Sequence, residues 1–287
     1  GSAPILLTYD LVMKTSNDLF LQNLGVSELT LESPTHIIGT VATNHLHMHH
    51  DVVNEGGLRA KEISGQGKLT NHAVLKLEGT SDQPAILSVP QLINKKGNSV
   101  SKEATIEAPY LHITSGNQFI SNGEGAEFRV ANSLLVDSAE RGSFMNKGSL
   151  HLGDVVLNRK ATNAGFWQAH QMTVQKGDFI NKSFGTLNIL DTLTVTSELM
   201  NEGDITARNL LKLEKGVNKG TIKGESLFLE TSQSFKNEGD MFLKALTGTG
   251  TFYNDKSLKF SAPSGRHGSI DVANFKNGGN AKAKYRA

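Results

Sequence analysis

Apolar residues recur along this chain at fixed offsets from an Asn-x-Gly tripeptide. The tripeptide appears at Asn54-Glu55-Gly56, Asn146-Lys147-Gly148, Asn163-Ala164-Gly165, Asn201-Glu202-Gly203, Asn218-Lys219-Gly220 and Asn237-Glu238-Gly239, with looser copies at Asn94, Asn122, Asn181, Asn254 and Asn277. Two positions before the asparagine stand Val52, Leu92, Ile120, Phe144, Phe179, Leu199, Phe235, Phe252 and Phe275. Four positions after it stand Leu58, Leu150, Trp167, Ile205, Ile222 and Met241, and an alternating pair follows, such as Val155/Leu157, Met172/Val174, Leu211/Leu213 or Leu227/Leu229. Alternation at period two predicts strands with one buried face. Subtracting positions from Asn146 to Asn254 gives steps of 17, 18, 20, 17, 19 and 17 residues, then 23 to Asn277. A repeat this short holds two or three strands of about 3–5 residues and no helix of ordinary length.

A coil of that size cannot bury its own apolar side chains and must stack on copies of itself. The expected fold is all-β: a right-handed parallel β-helix (β-solenoid) with about 12 coils of roughly 17–24 residues. The asparagine is expected to take a left-handed turn conformation and to stack its amide in a ladder, with the glycine supplying a second permissive φ. The residue between them reads Lys147, Ala164, Lys182, Glu202, Lys219, Glu238 and should point outward, alternating in sign from Lys182. Residues 1–43 read as an irregular N-terminal coil or cap and 44–279 as the β-helix repeats. A loop or lateral extension is expected at 79–110, where Pro84, Pro90 and Pro109 interrupt the strands, and 280–287 reads as a basic disordered tail. Insertions on one face of a solenoid commonly carry its binding function, which makes 79–91 and 98–110 the candidate contact surface.

Charge and composition narrow the function classes. Lys and Arg total 29 against 28 Asp and Glu, so no whole-chain field draws a nucleic acid. The absence of cysteine removes disulfides, thiolate metal sites and cysteine nucleophiles. No run approaches the roughly 20 apolar residues of a spanning helix, so membrane insertion is not expected. The N-terminus lacks the basic-then-apolar layout of a signal peptide. Gly1-Ser2 reads as a cloning remnant, so an excised piece is expected, with any export signal outside it.

The densest chemical feature is His45-Leu46-His47-Met48-His49-His50. On a strand, His45, His47 and His49 share one face and form a weak metal candidate through their imidazole nitrogens; the plainer reading is an outward polar face opposite Leu46 and Met48. A polysaccharide lyase or hydrolase on a β-helix is the alternative function, and it needs clustered carboxylates. Asp204 and Asp240 share the third offset after Asn, but Thr221 lies in the coil between them, which puts the acids about 9–10 Å apart. No catalytic residue and no cofactor is assigned. Trp167 holds a core offset, and Gly248-Thr249-Gly250 and Gly278-Gly279 read as turns because no helix pattern follows to complete a phosphate site.

The segment from Asn146 to Asn254, with units such as MNEGDITARNLLKLEKGVNKGTIKGESLFLE, resembles the repeats of filamentous-haemagglutinin-like proteins: two-partner-secreted adhesins and the stalks of contact-dependent toxins. The resemblance implies a secreted or cell-surface β-helix that adheres or presents a linked domain. Its implied partners are a host-cell or neighbouring-cell surface protein or glycan, and an outer-membrane transporter for the parent protein. The Asn-Pro-Asn motifs usual in the family's secretion domain do not occur here, so a repeat region is implied rather than that domain.

Overall fold

The computed structural model describes residues 7–97, 103–116, 118–138, 142–230, 233–261, 268–278 and 282–286. Every described element is a β-strand and every pairing is parallel, in a solenoid of about 13 turns. The chain forms two compact units, residues 1–153 and 154–287.

In the first unit the asparagine strands stack one per coil. Leu19–Leu21 pairs with Thr35–Ile37, then Val52–Asn54, Leu69–Asn71, Gln91–Asn94, Phe119–Asn122 and Ser143–Asn146 follow in register. In the second unit the same strand runs from Lys160–Asn163 through Phe179–Asn181 to the strands ending at Asn201, Asn218, Asn237, Asn254 and Asn277. Equal offsets thus become columns. Val52, Leu92, Ile120, Phe144, Phe179, Leu199, Phe235 and Phe252 are buried, as are Leu58, Leu150, Trp167, Ile205, Ile222 and Met241. Phe235, Phe252 and Phe275 stack with centroids 5.9 Å apart at each step. Each side chain fully removed from water contributes about 1.5–3 kcal/mol, gained only when a neighbouring coil covers it.

The asparagines behave differently from the turn expected of them. Among the described residues the one non-glycine with positive φ is Asn23, so the repeat asparagines are not left-handed. Their side chains lie inside, almost fully buried. Each donates Nδ2 to Oδ1 of the asparagine one coil on: Asn54 to Asn71 at 2.7 Å, Asn94 to Asn122 at 2.8 Å, Asn201 to Asn218 at 2.7 Å, Asn237 to Asn254 at 2.8 Å. The same Nδ2 also reaches a backbone carbonyl at the start of the next coil's second strand, as Asn201 does to Thr221 at 3.1 Å. The ladder was foreseen; the left-handed φ was not needed, because a buried amide with donors and acceptors above and below satisfies the corner without it.

The paired glycines are also required for a different reason. Gly56, Gly220 and Gly239 are not among the positive-φ glycines. A Cβ on Gly56 would overlap the carbonyl oxygen of Gly39, on Gly220 that of Gly203, and on Gly239 that of Gly220. Close coil-to-coil approach, rather than an unusual dihedral, excludes a side chain.

Three boundaries shift. The coils do not begin at residue 44: Thr35–Ile37 already pairs with Val52–Asn54, and Ile37 takes the asparagine's place, which hides this coil from an Asn-x-Gly search. The expected extension at 79–110 shrinks, since Ala85–Ser88, Gln91–Asn94 and Thr105–Ile113 are coil strands; what is inserted is 78–84, and residues 98–102 lie outside the described set. Pro84, Pro90 and Pro109 stand at corners or in an outer strand position rather than breaking the coil. The tail is not wholly disordered either: Lys282–Arg286 pairs in register with Ser257–Ser261.

Candidate contact surfaces

Outward positions form rows, one residue per coil, and the chemistry of the surface follows from which residues fall into one row. His45 faces outward between Glu28 and Glu62 of the coils on either side. Its Nδ1 meets the Glu28 carboxylate, and its Nε2 lies 4.0 Å from Glu62. His47 instead places Nδ1 3.1 Å from Ser64 Oγ and packs edge-on against His49, which lies just beyond the strand Leu46 and Met48 anchor from inside. The histidines are therefore spread over separate partners. Among the described residues no group of three His, Asp or Glu converges as a metal site.

Cross-coil histidine–carboxylate pairs recur, with His36 3.4 Å from Glu55, His112 2.9 Å from Asp137, His151 3.4 Å from Glu127 and His170 2.8 Å from Asp154. They could not be seen in the sequence, where the partners are 16–25 residues apart and only the register brings them level. Lys182 and Glu202, whose alternating sign was legible, do meet, at 3.5 Å. Lys236 lies between Glu238 at 2.6 Å and Asp255 at 3.0 Å, and those two carboxylates raise its pKa. Burial pushes the Asp51 carboxyl up, but the Lys68 amide and ammonium outweigh it and hold the group below the usual carboxylate range. Each of these shifts comes from an ion pair that ties one coil to the next or to its own strand.

A cleft of about 530 Å³ opens on the first unit where the coil carries its insertion. Its floor is one outward row, His45, Glu62, Ile86 and His112, aligned by register. Its wall is the inserted segment, with Glu78, Thr80, Asp82, Gln83 and Pro84 lining it. The segment is held as a tight turn by the Thr80 amide donating to the Gln83 carbonyl at 2.8 Å and the Gln83 amide to Thr80 Oγ1 at 3.1 Å. The neighbouring coils cross the same corner more directly, from Ala60 to Lys61 and from Ala108 through Pro109 and Tyr110, so the wall stands proud of them. The sequence pointed to this insertion through its widened spacing and prolines, but not to the histidine row beneath it.

The carboxylate row after the asparagine corner reads Thr186, Asp204, Thr221, Asp240, Ser257. Thr221 separates the two acids, as the offsets imply, and Asp240 lies 3.9 Å from Lys256. Trp167 is fully buried against Phe179, with ring centroids 5.7 Å apart, and offers no platform to a ligand. Phe184 is the opposite case: at 89% exposed it stands on the corner where the Asn181 repeat delays its glycine to Gly185. No helix is long and apolar enough to cross a membrane among the described residues. No protein-family model matches the sequence, and neither a curated protein nor a solved structure is similar to it.

Proposed function

We propose that the chain is a structural and adhesive β-solenoid, a repeat region of the filamentous-haemagglutinin-like kind, secreted or carried at a bacterial surface, that contacts a protein or glycan of a host or neighbouring cell or presents a linked domain to it. The observation that carries this reading is the division of labour within each coil. The residues with special chemistry, Asn and Gly, are consumed inside as a ladder and a close-packed corner, while the outside is rows of single side chains in register. Such a wall offers a long surface for many weak contacts and one insertion-walled cleft on the first unit. The separated acids of the Asp204, Thr221, Asp240 row argue against the lyase or hydrolase alternative, whose paired carboxylates must face one bond.

The test is adherence. The purified protein, immobilised, is offered cultured animal cells and bacterial cells beside a heat-denatured control. Retention of either cell type above the control supports the reading. Retention of neither, with release of reducing ends or unsaturated products from a polysaccharide panel, replaces it with the enzyme.

A further inference from the structure

The second unit carries a row in which an aromatic ring stands between two cations. Register aligns Asn188, Thr206, Lys223, Phe242 and Lys259 on the outward side of the strand that follows the asparagine corner. The Lys223 ammonium lies 5.9 Å from the Phe242 ring centroid and that of Lys259 lies 5.0 Å from it. Most lysines around them are neutralised, Lys212 by Glu230, Lys244 by Glu225 and Lys256 by Asp240. Lys223 and Lys259 have no ion-pair partner among the described residues. Both are exposed and Phe242 is half-buried. An exposed cation–π contact contributes about 0.5–1 kcal/mol, enough to hold each flexible ammonium over the ring and reduce the entropy lost when it takes a ligand.

The geometry points to this row as a binding site for an anionic polysaccharide, one bearing sulfate or carboxylate groups along its length; the assignment rests on the contact reading above and names its ligand. Three observations select that class. The two free ammoniums sit two coils apart on one line, about 9–10 Å, so they suit negative groups repeated along a chain rather than a single small anion. The next outward row on the same strands reads Thr221, Asp240, Ser257, two residues away, which sets hydroxyl and carboxylate partners for sugar hydroxyls beside the charges. Ammoniums lie over Phe242 from both neighbouring coils, so a nucleobase has no open ring face to stack on, as single-stranded nucleic acid recognition requires. Charge also falls on this side of the chain: residues 154–287 hold 18 Lys and Arg against 13 Asp and Glu, while residues 1–153 hold 11 against 15.

The test uses the whole chain and heparin as the probe, with dextran as the neutral sugar and polyadenylate as the nucleic acid. Binding is measured at several salt concentrations for the wild type, Lys223→Gln/Lys259→Gln, Phe242→Ala, and Lys182→Gln as a control in a paired lysine of the same unit. Circular dichroism and thermal melting establish that each variant is folded. The expected result is heparin binding that weakens steadily with salt, no dextran binding, a loss of about tenfold or more in the double lysine variant, and a smaller loss in Phe242→Ala, on a scale of about one ammonium contact each. Lys182→Gln binds as wild type. Equal heparin binding by the double variant, no wild-type binding to heparin, or polyadenylate binding as tight as heparin overturns the assignment. Cell adherence that survives the double variant would sink this site and leave the contact reading standing; loss of all adherence by the folded wild type would sink the contact reading itself.

Discussion

Replacing Asn201 separates the two roles an asparagine can have in a repeat corner. Its Nδ2 donates to Asn218 Oδ1 at 2.7 Å, to the Thr221 carbonyl at 3.1 Å and to the Gly203 carbonyl at 3.0 Å, and its Oδ1 accepts from Asn181 at 2.8 Å. Asn201→Ala removes all four and leaves Asn218 Oδ1 with no ladder donor. One to two orphaned buried groups at about 1–3 kcal/mol each give an expected loss of about 2–4 kcal/mol. Asn201→Asp keeps the shape and the turn preference but replaces a donor by an acceptor that faces two other oxygens. If the ladder is what matters, Asp is worse than Ala at neutral pH, by about 3–5 kcal/mol relative to wild type, because a buried charge then has no partner. The Asp variant should recover part of that loss in acid as the carboxyl protonates and can donate again. Asn54→Ala supplies the internal comparison: its Oδ1 already lacks a donor because Ile37 occupies the position below, so fewer bonds break and the loss should be smaller. Urea denaturation and amide hydrogen exchange at residues 199–222 read both the size and the place of the effect. An Asn201→Asp variant within about 0.5 kcal/mol of wild type would refute the ladder argument and restore the turn role.

Other outcomes follow from the same geometry. Gly220→Ala forces a Cβ into the Gly203 carbonyl oxygen and should cost about 1–3 kcal/mol or more in a denaturation curve, although alanine has the better intrinsic propensity; an unchanged midpoint would show that the corner can open. Phe235→Ala should cost about 3–5 kcal/mol as a truncated core ring, whereas Glu202→Ala should change stability by less than about 0.5 kcal/mol despite losing its contact with Lys182. Similar effects from the two would mean the inward column is misassigned. Asp51 is held below its unfolded pKa of about 3.9, so its contribution is present above that value and fades as pH falls through the folded one. Asp51→Asn should therefore lower stability slightly at neutral pH and not at all below about pH 3, and a stability difference that grows on acidification contradicts the pairing with Lys68.

What was legible in the sequence is what repeats at short range. Period-two alternation announces a strand wherever one face is buried, so Leu211 and Leu213 or Met172 and Val174 could be placed inward without any knowledge of their neighbours. Asparagine was half legible: it is both a turn former and a double-ended hydrogen-bonding group, and burial, which a sequence does not state, decides between them. Ile37 shows the limit from the other side, because a coil that drops the marker residue keeps its register and loses its signature. The surface was least legible. His45 with Glu28 and Glu62, or Lys223 with Phe242 and Lys259, are neighbours only after each coil's true length has set the register, and a one-residue error in any coil moves every outward residue to the inner face.

That sensitivity also explains how the solenoid can carry a contact function at little structural cost. Each inward position is fixed by what lies directly above and below, as Asn201 is by Asn181 and Asn218, so its replacement is felt across coils. An outward residue such as Lys223 touches only Phe242 in its own row and solvent, and exchanging it alters the wall by about one surface interaction, within about 0.5 kcal/mol. Recognition can then be written into a row without disturbing the coils that hold it. A pocket enzyme has no such freedom, because its reacting groups must converge through the same core that supports them. Here the core's polar groups are directed along the stack, asparagine to asparagine, and none is aimed at a shared point outside it.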